Sequence, residues 1–91
     1  MTIQHHSYMD GKVQSLGFTD EKGLDMTVGV IDKAGEYNFG IAEKSEWVVV
    51  VSGEIIVGNR RYHGDLPLIF EKGSEISFRT EVPTSYLCIY K

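Results

Sequence analysis

The sequence predicts an all-β domain, a sandwich or a barrel, on three observations. Short runs of β-branched and aromatic residues recur along the chain, and turn signals separate them at intervals of roughly 8 to 12 residues. No apolar pattern keeps helical periodicity over ten or more residues, so any helix would be one short turn.

Each run has its own justification. "LDMTVGVI" puts Leu24, Met26, Val28 and Val30 on one side and Asp25, Thr27, Gly29 and Ile31 on the other, the alternation of a half-buried strand. "EYNFGI" repeats that period with Tyr37, Phe39 and Ile41. "WVVVV" is apolar at every position and reads as a central strand covered on both faces. Ser52-Gly53 then leads into "EIIVG", a hairpin signal with glycine where a positive φ is cheap. The later runs "LIF", "EISF" and "YLCIY" are short and are separated by "EKGS" and "EVPTS".

With 91 residues the chain reads as one domain, 1–91, with residues 1–8 as a flexible N-terminus. A domain of this size buries only roughly 60 to 65% of its unfolded surface, so a contact with a second copy is expected. A hydrophobic content of 42% with 24% charged residues excludes a disordered chain. No apolar run approaches the roughly 20 residues of a spanning helix. The start "MTIQHHSYMDGK" has no basic region followed by an apolar core, and Cys88 is the single cysteine; both point to a cytoplasmic protein. A net charge of -4 argues against nucleic acid as the partner.

The stretch "GEYNFGIAEKSEWVVVVSGEI" at 35–55 has the glycine and glutamate spacing on which small β-barrels mount a metal. Ile41 and Glu43 stand where ligating histidines would be, while Glu46 keeps its distance to Gly53. The three histidines, His5, His6 and His63, form no His-x-His pair on a strand, and no metal is expected.

Together with that stretch, "GKVQSLGF", "VGV" and the ending "PTSYLCIY" resemble the pyrimidine/purine nucleoside phosphorylase family of small single-domain cupins. The resemblance implies a cupin barrel (a double-stranded β-helix, jelly-roll-like), usually dimeric, that uses phosphate as co-substrate to cleave nucleosides to free base and pentose 1-phosphate without a cofactor. The sequence departs from the family pattern after Gly73, where "EISFRTEVP" is shorter, and in "GNRRYHGDLPLIFEKGS".

Phosphorolysis of an N-glycosidic bond needs a spot for phosphate, a carboxylate near the sugar and a surface for the base. Glu43 and Arg79 are the candidate catalytic residues, Arg79 for phosphate. Tyr37, Phe39, Glu46 and Tyr86 are the candidates for substrate binding. Each also has a plainer reading: Tyr37 and Phe39 as core aromatics, Glu43 and Glu46 as members of a solvated turn, Arg79 as an edge-strand charge. Tyr86, Cys88 and Tyr90 share one strand face, on which Cys88 reads as a small buried hydrophobe. The alternative function is a binding or structural cupin without turnover.

Overall fold

The computed structural model describes residues 1–91 and consists of ten strands in two antiparallel sheets. The strands are β1 (Thr2–Tyr8), β2 (Val13–Thr19), β3 (Asp25–Ile31), β4 (Gly35–Ile41), β5 (Glu46–Ser52), β6 (Ile55–Val57), β7 (Arg60–Tyr62), β8 (Leu68–Phe70), β9 (Glu75–Thr80) and β10 (Thr84–Tyr90). A six-stranded sheet has the order β1-β2-β3-β10-β5-β8, and a four-stranded sheet has the order β4-β9-β6-β7. The only helical element is a 3-10 turn at Met9–Gly11. The all-β reading is therefore borne out, and the predicted runs all become strands.

The sheets face each other over one apolar core. Val13, Ile31, Val48, Val50 and Leu68 come from the larger sheet, and Tyr37, Ile55 and Ile76 from the smaller. Because side chains alternate along a strand, one residue in two is available to fill that space.

Three expectations change. Residues 2–8 are not a loose terminus, since every one of them pairs with β2 from Thr2↔Thr19 to Tyr8↔Val13. Met9 and Asp10, at φ 53 and 56, make the turn in a left-handed conformation that side chains other than glycine rarely adopt. The turn at Ser52-Gly53 makes no hairpin: β6 pairs with β7 and β9, so the chain crosses from one sheet to the other. Gly53, at φ 85, takes that corner tightly, and the buried Thr84 hydroxyl holds it by accepting from Glu54 N and donating toward Glu54 O, each at 3.1 Å.

The third concerns the outer face of the larger sheet, where the facing of β3 is settled as well. "WVVVV" is covered on one side only, with Val48 and Val50 buried and Val51 67% exposed. In β3 the apolar side of the alternation points outward, leaving Val30 50% exposed, while Thr27 and Ile31 turn toward the interior.

Candidate functional site

Between the sheets lies a cavity of about 610 Å³, within the range of small-molecule sites. The register fixes what reaches it from the larger sheet. His6 and Ser15 are partners, Ser15 pairs with Gly29, and Gly29 with Tyr86, which gives one inward row. The next row runs Gln4, Gly17, Thr27, Cys88 and Val48; beyond it Tyr90 pairs with Glu46 and Glu46 with Phe70. Two glycines in these rows leave room for rings. A β-carbon at Gly29 would overlap the Tyr86 ring, and one at Gly17 would lie 3.4 Å from His6 Nε2.

Glu46 stands at the end of this sheet beside three polar groups of the inner face. The Cys88 thiol donates to Glu46 Oε1 at 3.6 Å, and the Thr27 and Tyr90 hydroxyls are 3.3 Å apart. Burial raises the Glu46 pKa above the ordinary glutamate value, and the thiol hydrogen bond partly offsets the rise. Burial also pushes the Cys88 thiol up to about 12 and the Tyr86 phenol up to about 12, so both stay protonated at neutral pH. Cys88 is 2% exposed, which fits a packed hydrogen-bond donor rather than a nucleophile.

The opposite wall is aromatic. Phe39 and Phe78 stack with centroids 6.0 Å apart, and Phe70 approaches Phe78 at 6.5 Å. Tyr8 of β1 meets Phe39 of β4 edge-on at 5.3 Å and so links the two sheets across the cavity. The His6 ring lies against Tyr8 at 6.1 Å.

At the mouth, the loop between β4 and β5 carries Glu43 and Lys44. Its backbone is pinned: Ala42 N donates to Ser74 O at 2.9 Å, Gly73 N donates to Ala42 O at 2.8 Å, and Lys91 N donates to Ser45 O at 2.8 Å. Lys44 Nζ donates to Asp25 Oδ2 at 3.0 Å. Lys44 is the one lysine or arginine among the residues lining the cavity.

Of the residues singled out from the sequence, Phe39, Glu43, Glu46 and Tyr86 come together in this cavity. Arg79 and Tyr37 do not. Ile76 and Phe78 of β9 point inward, so the alternation turns Arg79 to the outer face, where its Nη1 donates to Gly58 O at 3.0 Å. A phosphate in the cavity is thus out of its reach. Tyr37 is 4% exposed and packed in the core; its hydroxyl donates to the Lys33 carbonyl, and its ring stacks on Phe78 at 5.7 Å. The segment after Gly73 contributes Ile76 and Phe78 to the cavity wall. Gln4, His6 and Tyr8 were missed because a polar run at the chain start gives no strand signal. Their trace in the sequence is the parity of Gln4, His6 and Tyr8, which places all three on one side of an extended segment.

His63 lies away from His5 and His6, with its Nε2 4.0 Å from Glu54 Oε2, and no group of three or more His, Cys, Asp or Glu side chains gathers as a metal site would require. No helix is long and apolar enough to cross a membrane.

Residues 3–90 match the family described as pyrimidine/purine nucleoside phosphorylase. A relative of that name from Marinobacter nauticus is 42% identical, over 93% of this chain and 95% of the relative. Among solved structures, a protein of unknown function from Vibrio parahaemolyticus is 33% identical with a TM-score of 0.85, covering 100% of both chains. A cupin domain of a transcriptional regulator from Enterobacter cloacae superposes with a TM-score of 0.69 at 18% identity, over 87% of this chain and 95% of that one, a likeness of fold alone.

Proposed function

The chain belongs to the pyrimidine/purine nucleoside phosphorylase family, and from that premise we propose that the cavity between its sheets transfers the pentosyl group of purine and pyrimidine nucleosides to phosphate. A phosphate oxygen forms a bond to C1′ of the sugar as the C1′–N bond breaks. The electron pair of that bond leaves with the base, which takes up a proton. The products are free base and (deoxy)ribose 1-phosphate.

The observation that carries this reading is a desolvated carboxylate facing an aromatic wall. Glu46 accepts hydrogen bonds from the pentose hydroxyls and its charge favours the oxocarbenium-like transition state, where low surrounding polarity strengthens the effect. Phe39 and Phe78 offer the base a stacking surface, closed at its far side by Tyr8. Tyr86 adds a protonated phenol in the inward row. Lys44, the one lysine or arginine of the lining, takes the phosphate role in place of Arg79. Phosphate is itself the nucleophile, so the reaction calls on no metal or organic cofactor.

The test is base release from a panel of nucleosides with and without phosphate. Phosphate-dependent release that falls about 10²- to 10³-fold in Glu46→Gln is expected. Absence of release from every nucleoside would overturn the reading.

We also propose that the protein is a cytoplasmic homodimer joined through the outer face of the larger sheet. That face carries Leu16, Val28, Val30, Trp47, Val51 and Ile89, all exposed, and the positions between them in the paired rows are uncharged. The Lys91 ammonium lies over the Trp47 ring at one end of this face, 4.5 Å from the centroid, and the rest of the face meets its own copy about a two-fold axis without opposing charges. Sedimentation velocity should give a dimer for the native chain and a monomer for Val28→Glu with Val51→Glu; a native chain that is monomeric at micromolar concentration would refute the assignment.

A further inference from the structure

We propose that His6 is the acid that protonates the departing base, an assignment that rests on the phosphorolysis reading above. The imidazole lines the cavity, half-buried, in the same inward row as Ser15 and Tyr86. Its position is built rather than incidental. Gly17, with no side chain, leaves the space over which His6 Nε2 lies, and Tyr8 holds the ring plane at 21° to its own. Tyr8 in turn meets Phe39, so one ring stands between the imidazole and the wall on which a base would stack, and all three line the same cavity.

The two neighbouring histidines are used differently. His5 Nε2 is engaged with Gln14 Oε1 at 2.9 Å, whereas His6 makes no hydrogen bond within the chain and keeps both ring nitrogens for a ligand. The distribution of charge in the cavity supports the same division. The carboxylates of Asp25, Glu43 and Glu46 and the Lys44 ammonium lie toward the mouth and the Tyr90 end. His6 shares the other region with the phenols of Tyr8 and Tyr86, while the Cys88 thiol stands in the row between. Sugar and phosphate chemistry thus has its charged groups at one end, and the base has the imidazole at the other.

The step balances without a further reactant. When C1′–N breaks, the base holds the glycosidic electron pair; the His6 imidazolium gives it a proton, becoming neutral imidazole, and takes one back from solvent after the products leave. A general acid of this kind contributes about 10²- to 10⁴-fold.

A leaving group that needs no proton separates this role from a structural one. Methylation at N7 makes the base of 7-methylguanosine cationic, so it departs neutral without protonation. His6→Phe, which keeps a ring against Tyr8, and His6→Ala should each lower kcat/KM for guanosine and uridine by at least about 10²-fold, with only a few-fold loss on 7-methylguanosine. Equal losses on all three substrates, or no loss on any, would overturn the assignment while leaving phosphorolysis standing. No base release by the native protein from any of the three would instead remove the reading on which it rests.

Discussion

Gly29 offers the sharpest test of the cavity's geometry. It stands opposite Tyr86 on the inner face of the larger sheet. A β-carbon there would sit 2.5 Å from Tyr86 Oη and 2.8 Å from Cε1, with Cζ nearer still. Normal carbon contacts lie near 3.5 Å, so in Gly29→Ala the ring must move by about 1 Å. Overpacking of this size costs about 1–3 kcal/mol. For a domain of this length each kcal/mol lowers Tm by about 4–8 °C, so a fall of roughly 4 to 24 °C is expected. Gly17→Ala is the matched control on the same face: its nearest neighbour would be His6 Nε2 at 3.4 Å, an ordinary contact. There the reduced freedom of the unfolded chain should stabilise by about 0.4–1 kcal/mol. Urea or thermal unfolding, at one protein concentration because assembly shifts apparent stability, compares the two. A double-mutant cycle identifies the cause, since Gly29→Ala should cost almost nothing in a Tyr86→Ala background. If Gly29→Ala is as benign as Gly17→Ala, or costs the same with and without the Tyr86 ring, the packing argument is refuted.

Three further outcomes follow from the same geometry. Lys44→Ala should raise the phosphate KM several-fold and Arg79→Ala should leave it unchanged; steady-state kinetics with varied phosphate would contradict this if the two effects were reversed. Tyr37→Phe should cost about 0.5–1.5 kcal/mol in urea unfolding through the lost hydrogen bond to the Lys33 carbonyl, and a changed nucleoside KM would show instead that Tyr37 touches substrate. Because burial raises the Glu46 pKa in the folded chain, the native state holds more protons than the unfolded state above the ordinary glutamate range. Stability is therefore lost as pH rises through the folded pKa, so Glu46→Gln should melt higher than the native chain at pH 7. That advantage should vanish below about pH 4, where the unfolded glutamate is protonated too, and melts that show no such pH dependence would remove the desolvation argument.

The strands were legible because period-2 alternation depends only on extended backbone. Which face pointed inward was not, and β3 shows why. Its apolar side, Met26, Val28 and Val30, has the pattern of a core face, yet it lies outside while Asp25, Thr27 and Gly29 look into the cavity. A cavity that admits a polar ligand needs polar or small residues on part of its lining, and β3 supplies them opposite the aromatic wall. The same inversion concealed β1, whose inward residues Gln4, His6 and Tyr8 are polar or half-polar. Phe39, Glu43, Glu46 and Tyr86 line the cavity, and ring and carboxylate chemistry marks such residues as candidates without knowledge of a strand's partners. Arg79 sits inside a strand pattern, where a charge usually has a partner or a pocket, but only parity within β9 decides its side, and it turns Arg79 outward. The corner at Gly53 was read as a hairpin for a related reason: a positive φ reverses or redirects a chain equally well, and only the pairing of β6 with β9 tells which.

The frame from Gly35 to Gly53 acquires a physical meaning from these positions. Ile41, 62% exposed, and Glu43 stand at the mouth, while Glu46 alone reaches inward beside Cys88. Its neighbours there are neutral hydroxyls and a thiol, with the Lys44 ammonium engaged by Asp25 at 3.0 Å. A half-buried carboxylate without a cation of its own is a net cost to folding, and a glutamine would fit the same hydrogen bonds at lower cost. On the proposed mechanism, what offsets that cost is a positive partner present only during turnover, the sugar as its bond to the base breaks. An interaction that strengthens only in the transition state raises kcat rather than merely tightening binding. On this account Glu46→Gln should lower kcat more than it raises the nucleoside KM, and a variant defective mainly in KM would assign Glu46 to ground-state binding instead.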